Sequence, residues 1–340
     1  MRKGILAAGN WIIDHVKIIT AWPKQGMLVD IIEEAIGTGG APYNVLIDLA
    51  KLKVDLPLYA AGVIGCDQDG QYIIDDLKRY GIANNYMVMT EEKSTAYTEV
   101  MTEKDSGQRT FFHYRGANDL LDYKHFVSIE TEAKIFHLGY LLLLAKLDAP
   151  DPEYGVVGAR VLDLMKQKGY KTSIDLVSKE SEQIKKIVLP CLRYTDYLII
   201  NEIEAGASTG LIIRQTEDKI NLENLQKAAQ LLLDNGVNEL VVIHFPEGGY
   251  AKSKKGEELF VPSFVVKKEE IKSTVGAGDA FCAGMLFGLH EGLSLEKTLK
   301  LANACARFNL TSSTCTDGAV PLEQIKEYIQ SAPLRETLSL

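Results

Sequence analysis

The residues best suited to chemistry run from Ser273 to Gly284. They read Ser273-Thr274-Val275-Gly276-Ala277-Gly278-Asp279-Ala280-Phe281-Cys282-Ala283-Gly284. Glycines ahead of an apolar helix-like run leave backbone N–H groups unpaired at the helix start, where the dipole is positive. Such a turn suits an anion, typically a phosphate in transfer. A carboxylate in the same turn has its ionised form favoured, so Asp279 is expected to be charged at neutral pH and able to take a proton. Taken alone, a Gly-x-Gly-Asp reads equally as a turn in which the acid caps a helix. It is neither a Gly-Lys-Ser/Thr phosphate loop nor a dinucleotide fingerprint.

Strands and helices must position this turn, and the chain alternates between them. Ile5 to Ala8, Leu58 to Val63, Lys134 to Leu138, Lys171 to Asp175, Tyr197 to Ile200 and Leu240 to His244 read as short strands. Pro42 to Leu52, Asp67 to Tyr80, Tyr154 to Lys168, Leu222 to Asn235 and Leu295 to Leu310 read as helices, and Gly81, Gly169 and Gly236 supply helix stops. This alternation predicts a mostly parallel sheet covered on both faces. Leu28 to Ile36 and Thr95 to Tyr114 break the rhythm. The second has alternating strand faces around Asp105-Ser106-Gly107, a hairpin signature. We expect these pieces to form a small antiparallel sheet, a lid over the site or an edge through which two copies associate.

The chain has 340 residues, 46% hydrophobic and 24% charged, an ordinary globular balance. A net charge of -9 argues against non-specific nucleic-acid binding, which needs a positive field. No apolar run reaches the roughly 18 residues that suggest a membrane span, and the start does not read as a secretory signal. Five cysteines form no Cys-x-x-Cys pair. They read as buried thiols, so a cytoplasmic location is expected. The histidines show no ligand spacing.

The 273–284 segment resembles the C-terminal signature of the PfkB, or ribokinase-like, carbohydrate kinase family, Asp-Thr-x-Gly-Ala-Gly-Asp-x-Phe-x-x-Gly. Gly39-Gly40 followed by Asn44, then Gly62, Gly65, Asp67 and Gly70, resemble its N-terminal signature. Asp14 falls where the family has a sugar-binding acid. Asn201-Glu202-Ile203-Glu204 resembles its Asn-x-x-Glu motif. The resemblance covers essentially the whole chain. It implies a single kinase domain over 1–340, a three-layer α/β sandwich with a mostly parallel central sheet and a small β lid from segments near 14–38 and 95–116. It implies Asp279 as the base that deprotonates the acceptor hydroxyl, and Gly276, Ala277 and Gly278 as the anion hole. Asp14, Gly40 and Asn44 would bind sugar hydroxyls. Asn201, Glu204, Gly249, Thr274 and Asn303 would serve the nucleotide, with Glu204 reaching magnesium through water. ATP and Mg²⁺ are the implied cofactors and a small sugar the substrate, and the edge of the small sheet offers a homodimer through the lid as one assembly.

Read without that context, Asp14 is as readily a turn cap, Asn44 a solvated helix residue, and Glu202 and Glu204 a charged helix start. Arg115 reads as an anion ligand or a surface residue. Two positions depart from the pattern. Ser273 stands where the family usually has an Asp that helps hold a monovalent cation, which puts such a cation in question. Pro246 stands where Gly is frequent in the nucleotide loop. The expected activity is ATP-dependent phosphorylation of a sugar hydroxyl. A nucleoside kinase of the same family and a catalytically weak sugar-binding regulator are the alternatives.

Overall fold

The computed structural model describes residues 2–178, 183–216 and 219–338. Its strands are β1 (Ile5–Gly9), β2 (Ile12–Ile19), β3 (Ile31–Gly39), β4 (Leu58–Gly65), β5 (Ala83–Thr90), β6 (Ala96–Glu103), β7 (Arg109–Tyr114), β8 (Ile135–Leu141), β9 (Pro150–Asp151), β10 (Gly155–Val156), β11 (Lys171–Leu176), β12 (Tyr197–Asn201), β13 (Arg214–Thr216), β14 (Lys219–Ile220), β15 (Leu240–Phe245), β16 (Gly248–Ser253) and β17 (Glu258–Pro262). Its α-helices are α1 (Ala41–Lys51), α2 (Gln68–Arg79), α3 (Lys124–Val127), α4 (Val157–Gln167), α5 (Ile184–Leu192), α6 (Glu202–Thr209), α7 (Leu222–Asp234), α8 (Ala277–Glu291), α9 (Leu295–Asn309) and α10 (Leu322–Ser331).

A nine-stranded sheet, ordered β17-β16-β15-β12-β11-β8-β1-β4-β5, forms the centre. All neighbours are parallel except β15–β16 and β16–β17. Alternate side chains of each inner strand enter opposite cores. Leu6, Ala8, Leu198, Ile200, Val241 and Ile243 pack with α4, α5 and α7. Ile5, Ala7, Tyr197, Ile199, Leu240 and Val242 pack with α1, α8 and α9. Both faces are therefore dry, which explains why these strands read as continuous apolar runs. The helix expected from Tyr154 begins at Val157, because Gly155-Val156 first pairs back on Pro150-Asp151.

The lid is a four-stranded sheet, β3-β2-β6-β7. Two antiparallel hairpins, β2–β3 and β6–β7, meet along the parallel β2–β6 pair. Its roots are tied to the body. Asp67 caps α2 by accepting from Gly70 N (2.8 Å), and also accepts from Thr95 N (2.7 Å) and Thr95 Oγ1 (2.6 Å) at the entry to β6. At the other root, Gly40 caps α1 with φ 86°, and a Cβ there would lie 2.1 Å from the Asn10 carbonyl oxygen. Glycine is required by both conformation and space. Among the described residues no helix is long and apolar enough to cross a membrane.

Candidate active site

The first turn of α8 lies at the C-terminal end of the parallel strands. Gly276 precedes it with φ 80°, and its missing Cβ would stand 2.5 Å from the Cys315 carbonyl oxygen and 2.7 Å from Cys315 Cα. The turn is further held by Asn309, whose Nδ2 donates to the Val275 carbonyl (3.0 Å). The amides of Gly278 and Asp279 belong to the first turn, where a helix offers them no carbonyl.

Asp279 is buried and doubly held. Tyr140 Oη donates to its Oδ1 (2.6 Å) and Asn44 Nδ2 to its Oδ2 (2.7 Å). Asn44 Oδ1 in turn accepts from Thr38 Oγ1 (2.7 Å). Burial raises the Asp279 pKa, and the bonds from Tyr140 and Asn44 oppose the rise. The expected helix-start effect would lower this pKa, whereas burial of the carboxyl shifts it upward. The proposed role of Asn44 also changes. Its amide is engaged with Asp279 and Thr38, so it orients the carboxylate and retains at most one N–H for a sugar.

Two cavities flank this turn. One of about 390 Å³ is lined by Asp279, Gly276, Tyr140, Asp175, Asn201, Glu204 and Phe111. The other, of about 300 Å³, is lined by Thr274, Ala277, Asn303, Pro246, Phe264 and Arg307. Gly278 and His244 line both. The segments 201–204, 274–279 and 303 thus converge, although they are far apart in the chain. Gly249 does not line the second cavity. It lies within β16, and a Cβ there would meet the Phe281 ring at 2.9 Å and Leu299 at 3.0 Å, so its role is close packing and the nucleotide assignment is withdrawn. Pro246 shapes the turn before it, and the adjacent Glu247 pairs with Arg214 (2.8 Å), which also pairs with Glu202 (2.9 Å).

Asn201 and Glu204 form a capping box at α6. Glu204 Oε1 also accepts from Ser178 Oγ (2.8 Å). Burial raises the pKa of Glu204, and that of Asp175 more strongly, where the charges of Glu204 and Asp279 add to it. Asn303 Nδ2 donates to the carbonyls of Val261 (3.1 Å) and Pro262 (3.2 Å), fixing its side chain at the rim of the second cavity.

Asp14 sits on β2 opposite Gly37 and Thr98. Gly39 leaves room for it: a Cβ there would come within 2.7 Å of Asp14 Oδ1. Burial pushes the Asp14 pKa up to about 7, with hydrogen bonds from Thr98 and Cys315 opposing and the Asp279 charge contributing. Gly40 lies at the base of the same strand pair. Arg115 turns away from any substrate role, donating to the Leu142 carbonyl (3.3 Å) with Asp119 at 3.9 Å.

Four residues at the site escaped sequence reasoning. Tyr140 and Asp175 lie at strand ends with no motif spacing. His244 is held neutral by burial, its pKa lowered to about 4. Arg109, on the lid strand β7, donates through Nη1 to Ser273 Oγ (2.8 Å), which also accepts from Val275 N (3.0 Å). Arg109 has no carboxylate within ion-pair distance among the described residues.

Comparison with known proteins agrees with this architecture. A family model described as pfkB family carbohydrate kinase matches residues 8–322. A ribokinase of Schizosaccharomyces pombe is 26% identical over 79% of this chain and 79% of its own length. A nucleoside kinase of Methanocaldococcus jannaschii is 23% identical over 96% of both. The structure of Arabidopsis thaliana ribokinase complexed with ribose and ATP superposes with a TM-score of 0.77 at 20% identity, covering 97% of this chain and 99% of that one.

Proposed function

Given that the chain belongs to the PfkB family of carbohydrate kinases, we propose that it transfers the γ-phosphate of ATP to a hydroxyl of a sugar, with Asp279 as the base. The observation that carries this is the Asp279 carboxylate, fixed by Tyr140 and Asn44 in the same turn as the Gly278 and Asp279 amides, where two cavities meet, whereas the Ala277 amide is taken by the Thr274 carbonyl (3.3 Å). Phosphoryl transfer needs alignment, charge stabilisation and a proton acceptor, and no covalent protein intermediate. The acceptor hydroxyl lies in the first cavity and loses its proton to Asp279. The amides of Gly278 and Asp279 stabilise the moving phosphoryl group. The nucleotide occupies the second cavity, between Pro246, Phe264 and Asn303.

The donor set fits a hard divalent cation: Asp175 and Glu204 line the first cavity, burial raises the pKa of both, and the charge of Glu204 adds to the rise at Asp175. Both would hold Mg²⁺ through water, with Asn201 beside them. When bound, the ion neutralises phosphate charge.

The lid supplies Asp14 for the sugar and Arg109 for the phosphoryl end. Of the aromatic side chains on β7, Phe111 lines the cavity, whereas Phe112 stacks on Trp22 (6.2 Å) and Tyr114 packs at a tilt against Tyr97 (5.3 Å). Among the described lid residues Phe111 is thus the one aromatic that lines this cavity, and Tyr140 of the body is engaged with Asp279, which favours a sugar over a nucleoside base. ADP release measured over a panel of sugars and nucleosides tests this. Phosphorylation of one sugar far above all nucleosides is expected, and the reverse ranking would reassign the chain to nucleosides.

Ser273 is engaged by a guanidinium that already brings positive charge to the turn. Potassium is therefore expected to matter little. Replacing it by tetramethylammonium at equal ionic strength should leave kcat within about a factor of two, since screening is then constant. Arg109→Ala should lower kcat about tenfold or more, the scale of a lost charge-assisted hydrogen bond. Several-fold, saturable activation by potassium would give the role to the ion instead.

A further inference from the structure

Beneath Asp279, three elements bring together side chains the transfer reaction does not fully employ. His137 on β8 lies opposite Ser173 on β11, and Asp175 follows two residues on, at an irregularity in the pairing. Cys282 lies one helical turn after Asp279 on α8 and faces the sheet. One ligand atom from each of His137, Asp175 and Cys282 lies within 4.8 Å of the others, and all three residues are buried.

The chemistry of this trio is that of a borderline-soft metal. Imidazole, thiolate and one carboxylate oxygen are common zinc ligands, and three protein ligands with an open fourth position is a recurrent zinc arrangement. The geometry is close to what is needed. Cys282 Sγ and His137 Nε2 are 3.9 Å apart. An ion bonded to both at about 2.3 and 2.0 Å would subtend roughly 130°, and a small approach gives a tetrahedral angle. The His137 ring is pre-set for this: Nδ1 is 3.2 Å from Ser173 Oγ, which leaves Nε2 toward the thiol. Burial lowers the His137 pKa to about 3, so the ring is neutral and its lone pair available. Asp175 reaches the cavity wall and connects the trio to solvent. Its Oδ1 accepts from Leu176 N (2.7 Å), which leaves the other oxygen to turn inward.

We propose that His137, Asp175 and Cys282 form a binding site for Zn²⁺ or a similar transition-metal ion, and that its occupancy suppresses phosphoryl transfer. The metal replaces the thiol proton between Cys282 and His137, which is released to solvent together with any proton held by the Asp175 carboxyl. The suppression rests on the reading of Asp175 given above: an oxygen ligated to zinc below the cavity floor no longer serves the phosphoryl site. A fourth position, open to the cavity, takes water or a substrate oxygen.

The test separates binding from activity. Without nucleotide, Zn²⁺ is titrated against a chromogenic chelator, and Co²⁺ is used as a spectroscopic probe. One equivalent of zinc per chain and a cobalt–thiolate charge-transfer band are expected in the wild type. Cys282→Ala is expected to lose the band and bind zinc at least tenfold more weakly while keeping its basal kinase activity. His137→Leu, whose residue is also outside the transfer machinery, should weaken zinc similarly. With excess Mg²⁺, zinc should inhibit the wild type and spare both variants. No thiolate band in the wild type, or equal zinc affinity in Cys282→Ala, overturns the site. Zinc bound at Cys282 without inhibition overturns the regulation. A chain that binds zinc in this way but phosphorylates no sugar would overturn the functional assignment and leave the metal site standing.

Discussion

Asp279→Asn is expected to reduce turnover by roughly 10²- to 10⁴-fold, the range for loss of a general base, with ATP affinity within about a factor of two. The substitution preserves shape: its amide oxygen can accept from Asn44 Nδ2, and its NH2 can donate to Tyr140 Oη, which then accepts where it now donates. It removes the proton acceptor and little else. Burial raises the Asp279 pKa, so in the wild type the ionised form is populated only as pH rises through that raised value. kcat/KM should accordingly climb with pH on its acid limb, and the climb should be absent from the residual activity of Asp279→Asn. Stability separates this from misfolding. A carboxyl whose pKa is raised on folding contributes stability that is full below its unfolded value and is lost as pH rises through the folded value. The neutral amide escapes that loss, so the variant should melt at or above the wild-type temperature at neutral pH. Turnover within a few-fold of wild type would remove Asp279 from the role.

Asp14→Ala is expected to weaken sugar binding at least tenfold in calorimetry without nucleotide, because sugar hydroxyls lose a buried acceptor worth about 1–3 kcal/mol or more. Nucleotide affinity should not change, since Asp14 lies on the lid, away from the second cavity. The pKa of about 7 gives this interaction a pH signature. An ionised carboxylate accepts from two hydroxyls, whereas the protonated acid has less acceptor capacity. Sugar affinity should therefore rise as pH passes from about 6 to about 8 and stay flat in Asp14→Asn. The Asp279 charge contributes to the Asp14 shift, so Asp279→Asn should move this rise to slightly lower pH. Unchanged affinity in Asp14→Ala would exclude the contact.

Much of the body was legible because its signals are local. Apolar runs such as Leu240 to His244 and glycine stops such as Gly81 sit within single elements, and the alternation of elements fixes a parallel sheet. The sheet's edges were not legible. β5 opens on Ala83-Asn84-Asn85, and β16 on Gly248-Gly249, compositions that become strands only because a neighbour is there to pair with. At the site, the glycine turn announced itself through spacing. Tyr140, Asp175 and Arg109 did not, since each is a single polar residue whose neighbours are decided by β8–β11 adjacency or by the fold of the lid. The direction of the Asp279 shift was hidden for the same reason. A helix start is visible in sequence, but the burial that raises its pKa, and the bonds from Asn44 and Tyr140 that oppose the rise, come from residues distant in the chain.

The two-hairpin build of the lid bears on how such an enzyme diversifies. Each hairpin is a separate excursion from the α/β body, one between β1 and α1, the other between β5 and β8. A lone two-stranded ribbon is marginally stable in water, so the parallel seam between β2 and β6 is what makes the pair one sheet. Asp14 belongs to the first ribbon, whereas Arg109 and Phe111 belong to the second. Provided the seam is kept, the ribbon proposed to meet the acceptor molecule and the ribbon that reaches the glycine turn are free to change at different times. On the proposed roles, substrate range and catalytic power are then separately inheritable traits, written on two pieces of chain with residues 40–95 between them.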